Sequence, residues 1–136
     1  MSAEDLASLR QMWEMWGGPI GGPEARAKFR DRWWHPEITY EEDPRWPGSG
    51  TYHGKEQVAE VFESYMEVFS GNLTVERLVE GEDRLVAFVR FRLLSAGGDV
   101  PTERVWAYVC RARDGQLSYL RAYWDPQEAL EAAGVS

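Results

Sequence analysis

The run Tyr40-Glu41-Glu42-Asp43-Pro44 sets three carboxylates where a short strand gives way to a Pro/Gly loop. A carboxylate fixed at a strand end beside aromatic residues is suited to general-base work, because it can take a proton from a carbon acid held against it. Asp43 is the residue best placed for this role. Pro44 disfavours the helical region for the residue before it and so keeps Asp43 extended. The competing role for Asp43 is that of a turn carboxylate that binds nearby backbone amides. Successive strand residues point to opposite faces, so at most one of Glu41 and Glu42 faces inward with Tyr40 or Asp43.

Other residues with chemical potential are scattered. His35 precedes Pro36 at an expected helix end, and His53 lies in the loop entering a later helix. They show neither HxH nor HExxH spacing, so a metal site is not indicated. Arg104 shares a strand face with Trp106 and Tyr108, where it can hold a substrate oxyanion at a pocket rim. The other reading is that the strand arginines pair with Glu76, Glu80 and Glu103 on a solvated or intersubunit face. Trp13, Tyr40, Trp46, Tyr52, Phe62, Phe91, Trp106, Tyr108 and Trp124 either fill the core or line an apolar pocket for a flat hydrophobic ligand.

The elements that must position these residues follow from periodicity. Residues 3–16 read as a helix with Leu6, Leu9, Met12, Trp13 and Trp16 on one face and Ser2 as N-cap. GGPIGGP (17–23) breaks it. A second helix runs from about Pro23 to Trp33, with the proline in its first turn. Trp34-His35-Pro36 ends it, and 37–42 reads as a short strand. Lys55 to Phe69 forms a third helix carrying Val58, Val61, Phe62, Tyr65, Met66 and Phe69, stopped by Ser70-Gly71-Asn72. The pattern then alternates, giving strands over about 73–80, 84–95, 101–113 and 116–125. Gly81-Glu82-Asp83, 96–100 and Asp114-Gly115 are the turns. Leu85, Ala87, Val89, Phe91 and Leu93 share one face, opposite Arg84, Arg90 and Arg92. Leu120, Ala122 and Trp124 oppose Tyr119, Arg121 and Tyr123. Asp125 caps a last helix, begun by Pro126 and stopped by Gly134.

At 136 residues, 43% of them hydrophobic, the chain is expected to form one domain over 1–136. A net charge of −8, from 23 acids against 15 Lys plus Arg, makes nucleic acid a poor partner, and none is expected. The single Cys110 cannot form an intrachain disulfide and reads as a buried thiol in a reducing compartment. The acidic, amphipathic N-terminus does not read as a signal peptide, and no apolar run reaches the roughly 18 residues of a membrane span. These features make the cytoplasm the expected location, with no membrane partner.

The segments HPEITYEEDP (35–44), GTYHGKEQV (50–58), ARDGQL (112–117) and LRAYWDPQEALEAAG (120–134), in this order, resemble the nuclear transport factor 2-like superfamily. More narrowly they resemble its SnoaL-like and ketosteroid-isomerase-like branch. The resemblance covers nearly the whole chain. It implies an α+β fold, cystatin-like: a cone-shaped, curved antiparallel sheet wrapped around N-terminal helices. Asp43 falls where steroid isomerases carry their catalytic aspartate, also followed by proline. Their oxyanion-donor positions fall near Met12 or Trp13 and near Trp106 or Ala107. SnoaL-like polyketide cyclases place an acid near the last strand, where this chain has Asp125, and the epoxide-hydrolase branch uses an Asp-Arg-Asp network.

The function this implies is an isomerase- or cyclase-like enzyme acting on a hydrophobic or polycyclic carbonyl compound in a deep apolar pocket. Asp43 abstracts a proton next to the carbonyl, a nearby Tyr or Trp donates to the oxyanion, and no cofactor is required. The alternative is a non-catalytic hydrophobic-ligand-binding protein of the same fold. The face carrying Tyr119, Arg121 and Tyr123 is costly to leave to water, which points to a homodimer.

Overall fold

A computed structural model describes residues 1–16, 22–46, 48–68, 73–94 and 101–135, with the side chains of 66–68, 73, 92–94, 101 and 102 outside that description. The expected breaks at 17–21, 69–72 and 96–100 therefore lie outside the described residues, as does Pro47. Three helices, α1 (Ala3–Trp16), α2 (Pro23–Trp33) and α3 (Lys55–Val68), alternate with β1 (Trp34–Glu41) and β2 (Thr51–His53). A meander follows: β3 (Leu73–Gly81), β4 (Arg84–Leu94), β5 (Pro101–Arg113) and β6 (Gln116–Tyr123). The final helix is α4 (Pro126–Ala132).

The six strands form one curved, open sheet in the order β2-β1-β6-β5-β4-β3. The expected antiparallel meander is present from β3 to β6. The whole sheet, however, is mixed, because β1 lies parallel to β6. Two boundaries also differ from expectation. Trp34, His35 and Pro36 begin β1 rather than ending a helix. The pairing of β1 with β6 is irregular between Trp34 and Thr39, where Pro36 has no N–H to give a regular ladder. The three residues of β2 pair with the end of β1, Tyr40 opposite Tyr52, and are too short to show alternation.

Asp114 and Gly115 both take positive φ (55° and 76°), the backbone a two-residue hairpin requires, and Asp83 does so at 53°. Gly81 answers a different need. A Cβ there would stand 2.3 Å from the Ala133 carbonyl oxygen, and that carbonyl accepts the Glu82 amide at 2.8 Å. The end of α4 is thereby docked on the β3–β4 turn.

The sheet is covered on both faces. Leu9, Met12 and Trp13 of α1 and Val58 and Phe62 of α3 pack on the inner face with Leu85, Ala87, Val89, Tyr108, Cys110 and Leu120. Val86, Phe88, Ala107 and Val109 point the other way and pack against Ala129 and Ala133 of α4 and its end. Cys110 is fully buried, takes the Trp13 indole N–H at 3.4 Å and donates to the Leu85 carbonyl at 3.3 Å. Burial pushes its thiol up to about 12, so it stays protonated and structural. On the far side of α3, Glu63 binds Arg26 (2.9 Å) and Arg30 (2.6 Å) of α2.

The α1 start is a reciprocal cap. Ser2 Oγ accepts the Asp5 amide at 3.0 Å, and Asp5 accepts the Ser2 amide at 3.2 Å. The other Asp5 oxygen accepts the Gly115 amide at 2.8 Å, joining α1 to the β5–β6 turn. That Gly115 bond, aided by Ser2 and opposed by burial, holds the Asp5 carboxyl below its ordinary value. A group lowered on folding stabilises the fold above its unfolded pKa, and the gain is lost as pH falls through the folded one. Asp5→Ala should therefore cost about 1 kcal/mol at pH 7. The deficit should narrow by pH 3, as read from urea midpoints at the two pH values.

Candidate functional site

The acidic run divides its carboxylates among three environments. Ile38 and Tyr40 are fully buried on the inner face of β1. Glu41 turns outward, where it accepts from the Tyr119 hydroxyl at 3.0 Å and lies 3.6 Å from Arg121. Glu42 turns inward under α3. It follows that one glutamate of the pair faces in, as alternation requires.

Glu42 is fixed through both backbone and side chain. Its amide donates to the Gly50 carbonyl at 3.0 Å, and its Oε1 accepts the Gly50 amide at 3.2 Å, closing the 42–50 loop. The Tyr65 hydroxyl donates to Oε2. Tyr65 comes from α3, one turn after Phe62, and its hydroxyl lies 3.3 Å from that of Tyr40. Tyr52 of β2 stacks on Tyr40 with centroids 6.3 Å apart. Burial first, and then the hydrogen bond to Glu42, raises the Tyr65 phenol far above its ordinary value. Tyr108 is raised by burial and by the charge of Glu42. Tyr40 is raised by burial and by its tyrosine neighbours. Tyr52 rises in the same direction, by burial and then by Glu42. All four phenols thus remain hydrogen-bond donors at any physiological pH.

Tyr108 differs from the other three. It is only 4% exposed, on the inner face of β5, and stacks on Trp13 with centroids 5.8 Å apart. Its hydroxyl has no hydrogen-bond partner among the described residues. The arrangement is a carboxylate, a pair of linked phenols and one phenol with its hydrogen bond still to give.

Asp43 is 3% exposed. Its Oδ1 accepts the Arg45 amide at 2.9 Å, and its Oδ2 accepts the Trp124 amide at 2.7 Å. Its own carbonyl accepts the Trp46 amide at 3.0 Å. The side chain therefore ties the 43–46 turn to the end of β6. That tie brings Trp46 and Trp124 together over Trp106, at 6.3 Å from each other and 4.6 and 6.4 Å from Trp106. Phe91 completes the group, 4.3 Å from Trp106. The Arg104 guanidinium lies 3.2 Å above the Trp124 ring.

The ten residues expected to line a ligand site thus fall into two neighbouring groups. Tyr40, Tyr52 and Tyr108 lie within the field of Glu42, with Phe62 packed on Tyr40 (centroids 4.9 Å apart) and Trp13 on Tyr108. Phe91, Arg104, Trp106, Trp124 and Trp46 form the second group, joined to the first by Trp106 and Tyr108 on one face of β5. Glu42 and Tyr65 were not singled out for chemistry from the sequence. The available signal was a phenol on the apolar stripe of α3, which must find an acceptor when buried.

The remaining candidates have local roles. Asp125 accepts the Gln127 amide at 2.9 Å and caps α4. His35 accepts the Glu37 amide at 3.0 Å, and His53 meets the Thr39 hydroxyl at 2.9 Å. Among the described residues, no group of three or more His, Cys, Asp or Glu side chains is placed to hold a metal ion. Of the strand arginines, Arg90 pairs with Glu76 and Glu103. No helix among the described residues is long and apolar enough to cross a membrane.

A family model for the SnoaL-like domain matches residues 10–120, and the chain belongs to that family. No curated protein matches it. Among solved structures it is similar to an NTF2-like protein from Anabaena variabilis (21% identity, 92% of each chain covered, TM-score 0.70). It is also similar to a protein of ketosteroid isomerase-like fold from Catenulispora acidiphila, solved with trimethylamine (15% identity, 100% of this chain and 96% of that one, TM-score 0.63). A third is TerC, co-crystallised with polyporic acid (18% identity, 96% of this chain and 98% of that one, TM-score 0.63). At these identities the likeness establishes the fold, and a fold of this kind hosts many functions.

Proposed function

We propose that the protein is an isomerase- or cyclase-like enzyme that removes a proton next to the carbonyl of a flat hydrophobic compound. Its ligand sits against the inner face of the sheet, in an apolar pocket walled by the two aromatic groups. Glu42 is the proton acceptor. The Tyr108 hydroxyl donates to the carbonyl oxygen as it becomes an enolate. Tyr65, with Tyr40 behind it, holds the Glu42 carboxylate in place. The single observation that carries this reading is the inward-facing Glu42 carboxylate in the same apolar compartment as an unengaged Tyr108 hydroxyl.

Asp43, the other candidate base, is given a positioning role, because it is nearly closed off and both its oxygens tie down backbone amides; Glu42 is also bonded at both oxygens, but it is only half-buried and one of its partners is a side-chain hydroxyl, that of Tyr65. The same observation supports the alternative of a non-catalytic binding protein, in which Asp43 shapes the aromatic group and no proton is moved. Several solved proteins of this fold carry names that point to cyclases or to bound small organic molecules, in keeping with either reading.

Exchange of carbon-bound protons separates the two. Incubated in D2O with bicyclic ketones such as 2-tetralone, the protein should accelerate deuterium uptake next to the carbonyl, followed by proton NMR. Tyr108→Phe removes the oxyanion donor and should slow that exchange about 10²–10³-fold, with little change in ketone affinity. Exchange at the buffer rate across a panel of such ketones would leave the binding protein as the better account.

A further inference from the structure

The second aromatic group carries features that a purely apolar wall does not need. Arg104 lies on the inner face of β5, directly across from Phe91 in the ladder. The carbon of its guanidinium lies 3.2 Å from the centre of the Trp124 ring, a cation–π contact that leaves its N–H donors unused by the ring. Its Nε is buried and has no hydrogen-bond partner. The Trp46 indole nitrogen, in the same group, is likewise buried without a partner. A buried donor left unpaired costs about 1–3 kcal/mol, so two in one aromatic group point to an acceptor supplied from outside the chain.

We propose that Arg104 and Trp46 receive an anionic oxygen group, a carboxylate or an enolate, at one end of a flat aromatic ligand whose rings stack on Trp106 and Trp124. The planar guanidinium edge matches the two oxygens of a carboxylate, and the indole N–H adds a neutral donor. The neighbouring carboxylates do not compete for the Arg104 and Trp46 donors. Asp43 is occupied by the amides of Arg45 and Trp124, and Glu42 by Gly50 and Tyr65. The inference rests on the inner face being the ligand site, as proposed above, but not on any proton transfer there. It narrows the substrate class from neutral polycyclic carbonyl compounds to aromatic acids and acidic enols.

The test is a comparison of two isosteres, naphthalene-2-carboxylate and naphthalene-2-carboxamide, followed by quenching of tryptophan fluorescence at pH 7.5. The carboxylate should bind at least about tenfold tighter, the ratio one charge-assisted hydrogen bond supplies. Arg104→Gln should bring the ratio close to one. Arg104→Lys, which keeps the charge without the planar fork, should retain part of it. Glu42→Gln should leave the preference in place, so a failure of the proton-transfer reading and a failure of this one give different results. A ratio near one in the wild-type protein would overturn the proposal. So would an undiminished ratio in Arg104→Gln, or no saturable carboxylate binding below about 1 mM.

Discussion

Replacing Glu42 with Gln should reduce α-proton exchange by about 10²–10⁴-fold, the range that a positioned general base contributes. The amide is nearly isosteric with the carboxylate, and its oxygen can still accept from Gly50 or Tyr65. Folding and ligand affinity should therefore stay close to wild type, and the loss should appear in kcat rather than in binding. Tyr65→Phe is the milder companion. It frees the Oε2 side of Glu42 without removing the carboxylate, so it should loosen the base rather than delete it. The phenols themselves set no alkaline limit near neutrality. Burial, and for Tyr65, Tyr52 and Tyr108 the neighbouring Glu42 as well, raises them above their ordinary value, and they stay protonated as pH rises through 8 and 9.

The second large effect is on stability. Asp43→Ala leaves the amides of Arg45 and Trp124 without acceptors in a nearly closed site. At about 1–3 kcal/mol for each orphaned donor, the loss should reach about 3 kcal/mol. In a domain of this size that corresponds to a melting temperature lower by on the order of 10 °C. The near-ultraviolet circular dichroism should weaken with it, because Asp43 holds Trp46 and Trp124 over Trp106. Asp43→Asn keeps one acceptor oxygen and sets its NH2 group against the other amide. It should fall between the two in stability while keeping exchange within about tenfold of wild type.

Much of this arrangement was readable before the fold was seen. Alternation along 84–93 and 104–124 placed Phe91, Trp106, Tyr108 and Trp124 on one side, because a half-buried strand must sort its side chains by face. Ser2, Asp125 and the Asp114-Gly115 turn announced themselves through the backbone groups that only such residues satisfy. The parallel partnership of β1 with β6 did not, since it joins Tyr40 to Leu120 across the whole meander and no local pattern records it. The three residues of β2 were too few to carry a period. The site shows the same division. Asp43 was conspicuous because Pro44 follows it, yet its use depends on the Trp124 amide, 81 residues away. That Glu42 rather than Glu41 turns inward, and that Tyr65 meets it, depends on where α3 crosses the end of β1.

Deuterium uptake next to the carbonyl of 2-tetralone, compared for the wild-type protein, Glu42→Gln and Asp43→Asn at one temperature below all three melting points, distinguishes Glu42 from Asp43 as the base. Exchange should be accelerated in the wild type and in Asp43→Asn, and should run near the uncatalysed rate in Glu42→Gln. Exchange that survives in Glu42→Gln but vanishes in a folded Asp43→Asn would contradict the assignment to Glu42 and return the base to Asp43.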